Sequence, residues 1–205
     1  MKTLRRVFIH RRRHPLKRTI LGVMAALVLI VTGRAEASAA IQAGASPLEP
    51  APIGKTVAGI IECGKGYTTH ELYDMKITLL EVVRGEEAWK RIKEASASNK
   101  PAPAGSEYVL ARVRLEYFAR GTPGLCIHEL SPEQFMAYSA DGNDYKAPSV
   151  VPPKPEMRRR LHSGESWEGW AAFLVPQQDK KPLMSYSADA GAAILHGGGR
   201  WFALY

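Results

Sequence analysis

Tyr108–Phe118 reads YVLARVRLEYF. Val109, Ala111, Val113, Leu115 and Tyr117 fall on one side of an extended chain, and Arg112, Arg114 and Glu116 fall on the other. Side chains of a strand point alternately to its two faces, so this period of two predicts a β-strand with one face in a core and one in water. Upstream, Tyr73–Val83 repeats the pattern, with Tyr73, Met75, Ile77 and Leu79 set against Asp74, Lys76 and Thr78. Downstream, Ser166–Val175 sets Trp167, Gly169, Ala171 and Phe173 against Glu168, Trp170 and Leu174.

Shorter strands are expected at Thr56–Glu62, Leu125–Leu130, Gln134–Ser139, Asn143–Ala147, Leu183–Ser187, Ala192–His196 and Arg200–Leu204. Ala140-Asp141-Gly142 is a hairpin signal between two of them. Arg84–Glu87 interrupts the second long strand, and Ala88, Trp89, Ile92 and Ala95 then recur at near-helical spacing. Acidic residues toward the start of that stretch suit the helix dipole, so one short amphipathic helix is expected. Many short strands separated by turn signals favour an antiparallel β-sandwich over an α/β fold.

The chain of 205 residues carries a formal charge of +8, which at face value suggests a nucleic-acid or membrane partner. The distribution of charge removes that suggestion. Nine of the 28 basic residues and one of the 20 acidic residues precede Ala40, so the remainder carries 19 of each and is formally neutral. The N-terminal segment has a cationic start, an apolar run of 12 residues from Ile20 to Val31, and small residues beyond it. That is the order of an export signal, and the run is shorter than the roughly 20 apolar residues of a membrane-spanning helix. Cleavage is expected after Ala39, or after Ala37, leaving no permanent membrane span. Arg5-Arg6-Val7-Phe8-Ile9 resembles the twin-arginine export motif, but ten residues separate it from the apolar run, which favours ordinary secretion. The expected organisation is a signal peptide over 1–39, a flexible linker over 40–54 and a β-sandwich over 55–205.

Export changes the reading of Cys63 and Cys126. In an oxidising compartment an even pair is more often a disulfide than a redox or metal site, with two buried thiols as the alternative. His70, His128, His162 and His196 show no metal-ligand spacing, and neither G-x-S-x-G nor a phosphate-binding glycine loop occurs. Asp141-Gly142-Asn143-Asp144 lacks the rest of a calcium loop. No catalytic, cofactor-binding or metal site is therefore expected. Arg158-Arg159-Arg160, after a proline-rich stretch with Lys154, is the concentrated charge of the exported part. It reads either as a solvated loop or as an anion contact to wall polymer, acidic polysaccharide or lipid headgroup.

Three segments carry a family resemblance: Arg84–Leu115 (RGEEAWKRIKEASASNKPAPAGSEYVLARVRL), Gly164–Phe173 (GESWEGWAAF) and Arg200–Leu204 (RWFAL). Together they resemble bacterial secreted and surface proteins with a telokin-like, immunoglobulin-like domain of unknown function, related in shape to a mycobacterial secreted antigen family. The likeness covers most of 55–205 and implies an immunoglobulin-like sandwich, with the Trp89/Ile92 stripe plugging one end. Members often follow a lipidated cysteine, which this chain lacks near its cleavage site, so the resemblance implies a released or periplasmic version. It transfers no catalytic residue. The expected role is non-enzymatic binding of, or structural support for, an envelope component or protein. A chaperone-like accessory that takes a partner at a sheet edge, and a hydrolase with an unrecognised site, are the alternatives.

Overall fold

The computed structural model describes residues 42–64, 70–121, 123–188 and 193–205; the expected signal peptide lies outside them. Among these residues ten strands and one α-helix follow in the order β1 Thr56–Gly64, β2 His70–Arg84, α1 Gly85–Ala95, β3 Ser106–Ala119, β4 His128–Leu130, β5 Phe135–Tyr138, β6 Arg159–Leu161, β7 Glu165–Pro176, β8 Leu183–Tyr186, β9 Ala193–His196 and β10 Arg200–Ala203. A five-stranded sheet runs β7-β3-β2-β1-β9, a three-stranded sheet β10-β8-β5, and β4 pairs with β6. The seven pairings between these strands are antiparallel. The fold is mainly β, a sandwich whose core joins Tyr73, Met75, Ile77, Val113 and Leu115 of the large sheet to Phe135, Met184, Tyr186 and Phe202 of the small one.

The long strands behave as their alternation dictates, with two exceptions. Leu79 pairs with Val113 but Glu81 with Arg112, a bulge at Leu80 that shifts the phase of β2 by one residue. Val82 therefore joins the main core and Val83 turns to the helix side. The second exception is the outer face of β3, which is wet at Arg112, Arg114 and Glu116 but dry at Tyr108 and Leu110. There α1 lies on the sheet, its buried Ala88 and Ile92 one helical turn apart and packed with Tyr108, Leu110 and Trp170. The helix thus covers part of the outer face of the large sheet and does not plug an end of the sandwich. Arg84–Glu87, read as an interruption, contains its first turn, where Gly85 supplies a φ of 63° and Glu86 and Glu87 face the dipole.

Other boundaries move for identifiable reasons. Leu125–Leu130 is strand only from His128, because the amides of Leu125 and Cys126 donate to Glu71. Asn143–Ala147 makes a single bridge, Tyr138 to Asp144, and a bond from Tyr145 N to Ala137 O of 2.8 Å, so it shields the edge of β5 without becoming a strand. Arg159 and Arg160, read as part of a loop, begin β6, with Arg160 opposite Glu129. The linker expectation is corrected over Gln42–Gly54. Trp201 N donates to Gly44 O (2.8 Å), Ala51 N to Trp201 O (2.9 Å) and Ala203 N to Ala51 O (2.9 Å), and Ala51 is fully buried. Two of the small residues that suggested flexibility, Gly44 and Ala51, are packed, and a Cβ on Gly44 would stand 2.6 Å from Val57 Cγ2, whereas Gly54 has open space around it.

A comparable close approach fixes Gly169 in β7. The segment Pro155–Met157 runs along that edge strand, with Trp170 N donating to Pro155 O (2.8 Å) and Trp167 Nε1 to Glu156 O (2.9 Å). A Cβ at Gly169 would meet Met157 Sδ at 2.7 Å and the Glu156 carbonyl oxygen at 2.8 Å. The second contact is backbone and can yield only by moving the segment. Gly169→Ala is expected to destabilise the protein by about 1–3 kcal/mol, as overpacking does. Thermal unfolding checks this, and an unchanged midpoint would show that Pro155–Met157 is free to lift.

Candidate functional site

The two cysteines are bridged, Cys63 at the end of β1 to Cys126 ahead of β4, with Cα atoms 6.4 Å apart. Around the bridge the sandwich is polar inside. Tyr73 hydroxyl donates to Glu71, Cys126 N donates to Tyr73 Oη (2.8 Å), and Tyr117 hydroxyl donates to Cys126 O (3.4 Å). The Tyr73 hydroxyl, followed by the amides of Cys126 and Leu125, holds the Glu71 carboxyl below its usual range. Tyr73 stacks on Tyr117 at 4.4 Å, and the Tyr117 ring meets His128 at 5.5 Å. His128 Nε2 lies 3.0 Å from Tyr186 Oη. Burial depresses the His128 pKa to about 4 and raises that of Tyr73. Tyr73 and His128 are buried in the core, where their polar atoms have hydrogen-bond partners, while Glu71 is partly exposed at its margin.

The remaining histidines do not assemble a metal centre. Glu62 accepts from His70 Nδ1 (2.6 Å) through one oxygen and from His196 Nε2 (2.8 Å) through the other. The register sets His70 of β2 opposite Gly64 and His196 of β9 opposite Ile60, so the imidazoles approach the carboxylate from opposite sides of β1. Among the described residues no group of three His, Cys, Asp or Glu can hold a metal ion. The Ser163 hydroxyl accepts a bond from Ala119 N (2.8 Å), and Ser185 is buried in β8.

Each arginine of Arg158–Arg160 has a neighbour: Arg158 pairs with Glu133 (3.2 Å), Arg160 with Glu129 (3.5 Å), and the Arg159 guanidinium lies 4.9 Å from the Trp167 ring centre. All three remain well exposed. The triplet is spread along one strand edge and does not converge on a point.

Pattern reading missed a groove of about 450 Å³ on the helix side of the large sheet. Arg91, Glu94 and Ala95 of α1 form one wall, Val151–Lys154 the other, and Trp170 the floor. Asn99 clamps the walls together, donating to Ile92 O (2.7 Å) and Val151 O (2.9 Å) and accepting from Val151 N (2.8 Å). Arg91 is fixed by Glu87 (3.1 Å) and Glu81 (3.0 Å), and its guanidinium lies 5.4 Å from the Trp170 ring centre. The proline-rich stretch was visible as a loop, but nothing in its sequence says that it lies against a helix more than fifty residues upstream.

No helix among the described residues is long and apolar enough to cross a membrane. No family model matches the chain, and no curated protein matches it. Among solved structures it is similar to a Bacillus subtilis protein described as a "putative lipoprotein", at 13% identity and a TM-score of 0.41. The likeness covers 59% of this chain and 35% of that one, so the chain spans about a third of its length, and at this level it carries no argument about function.

Proposed function

We propose that the chain is an exported, non-enzymatic domain that binds or braces a component of the cell envelope or a protein outside the cytoplasm. The Cys63–Cys126 bridge is the observation that carries this reading, because a long-range structural disulfide is formed and kept in an oxidising compartment. It agrees with the signal-like N-terminus. The sequestering of His128 and Tyr73 in the core supports a binding role over catalysis, since catalytic groups need access to a substrate. The test is fractionation of cells expressing the full chain, with thiols blocked at lysis. The expected product is extracytoplasmic, begins at Ser38 or Ala40, and has neither cysteine labelled. A cytoplasmic product with both thiols labelled would overturn the proposal.

Arg158–Arg160 remains the proposed anion contact. Surface ion pairs are worth little, about 0–1 kcal/mol, so Glu129 and Glu133 can release their arginines to a polyanion. Replacing all three by serine is expected to weaken envelope association at low salt severalfold, while unchanged association would remove the contact. The sheet-edge accessory is the weaker reading. Gln42–Ala51 covers β10, Asn143–Tyr145 covers β5, and Pro155–Met157 covers β7. Among the described residues this leaves β9, four residues long, and the β4–β6 pair, three residues each, and short edges are how sheets avoid pairing.

A further inference from the structure

We propose that the outer face of the small sheet is a membrane-contact surface, and that the envelope component this domain binds there is the lipid bilayer itself. This rests on the exported binding role proposed above and names its partner. In β10-β8-β5 the core takes Ala137, Met184 and Phe202, so alternation turns Met136, Tyr138, Leu183, Ser185, Trp201 and Ala203 outward. A sheet face turned away from the core is ordinarily polar, yet none of these six residues is charged. The Tyr138 and Trp201 rings come from the strands on either side of β8 and meet 5.1 Å apart. Leu183 and Ser185 of β8 are only 3% and 6% exposed, so the two rings form the surface above them, with Met136 beside them 42% exposed. The apolar side chains exposed on the large sheet, Leu72, Phe118 and Ile194, are by contrast interleaved with Glu62 and Asp74.

The size of the face selects the occupant. Three strands of four residues make an area on the order of 200 Å², from strand spacing and rise, against about 800 Å² per partner in a stable protein interface. That is too little to hold a second copy or a globular partner. A peptide strand finds no free edge, because Gln42–Ala51 covers β10 and Asn143–Tyr145 covers β5. A bilayer has no such minimum, since it continues past the rim to Leu48, 87% exposed on the arm beside β10, and to Tyr205, 52% exposed just after that strand. Tryptophan and tyrosine bury an apolar body and keep a polar edge in water, which is why both concentrate at membrane interfaces.

The entry of the chain points to the same partner. Gly44 O accepts from Trp201 N (2.8 Å), so the described chain starts on the edge of this face. Ten residues separate Gln42 from the apolar run that ends at Val31, a tether of at most about 35 Å. Export therefore delivers this edge beside the bilayer before cleavage frees it. Loops at the rim carry both signs, Glu49, Asp141, Asp144 and Asp179 against Lys146, Lys180 and Lys181. Attraction to anionic headgroups thus contributes little, and the contact rests on apolar burial.

The experiment is quenching of tryptophan fluorescence by vesicles of neutral phosphatidylcholine brominated on its acyl chains. It uses the oxidised protein with the N-terminus that cells leave on it. Trp89 lies on α1, and Trp167 and Trp170 on β7 of the other sheet. Quenching is therefore expected to come from Trp201 and to disappear in Trp201→Phe, which keeps an apolar ring. Leu48→Asp combined with Met136→Asp should lower the quenching at limiting lipid about tenfold, since interfacial binding scales with the apolar area inserted. Both positions are exposed, so unchanged thermal unfolding shows that this variant is folded. Serine at all of Arg158–Arg160 should leave the quenching as it is. Absence of quenching, quenching that persists in Trp201→Phe, indifference to the double substitution, or quenching that needs anionic lipid and is lost with the three arginines would each overturn the proposal. An uncleaved N-terminus does not change which tryptophan is quenched, so failure of the export reading, seen by fractionation, is distinguishable from failure here.

Discussion

Replacing Cys63 and Cys126 together by alanine is expected to lower the unfolding free energy by about 4 kcal/mol, the chain-entropy value for a loop of this size. The bridge spans 63 positions and so encloses β2, α1 and β3. Without it, the unfolded chain regains the freedom of that whole segment. The folded state loses an anchor as well, because Cys126 is where Glu71, Tyr73 and Tyr117 meet the segment leading into β4. Domain stabilities are commonly about 5–15 kcal/mol, so a loss of this size is a large share of the whole. Denaturant unfolding of the oxidised protein, the reduced protein and the double variant measures it. A difference below about 1 kcal/mol would mean that the unfolded chain is already compact around this loop.

The second large effect is acid sensitivity through His128. Its folded pKa is about 4 against an ordinary 6.5, because burial disfavours the imidazolium. A group with a depressed folded pKa binds more protons when unfolded. Its contribution is therefore fully present above pH 6.5 and is lost as pH falls toward 4. Integrated over that window, the loss is about 3 kcal/mol. His128→Gln removes the titration, so its stability should vary less between pH 6.5 and pH 4 by roughly that amount. Superimposable pH profiles of the two proteins would assign the acid sensitivity to other groups, with Glu71 and Glu133, both held below their usual range, the first to examine.

How far the fold was legible follows from how local each signal is. The alternation of Tyr73–Leu79 and Val109–Tyr117 is a property of consecutive residues, and it predicts both the strands and the face each turns to the core. The bulge at Leu80 was not legible, since no residue type announces which position a partner strand will skip. The same limit applies to Tyr108, Leu110 and Trp170. Their alternation says that they oppose the core, and only the placement of α1 makes that outer face dry. Gln42–Gly54 misled in the opposite direction, because alanine and glycine mark freedom in a spacer and close contact in a packed arm.

The candidate site divides in the same way. The sequence identified the cysteine pair, the basic triplet and the absence of any catalytic motif. It could not show that Arg158–Arg160 already have neighbours, that the perturbed histidine is enclosed, or that Arg91 and Lys154, 63 positions apart, line one groove. By itself the sequence determined that this is a mainly β protein with one short helix, a neutral body and two cysteines, because alternation, charge and residue type are written position by position. The tertiary structure alone decided which edges are closed, which groups are buried, and where a ligand can approach. Those depend on which distant segments lie side by side, and local periodicity carries no record of that.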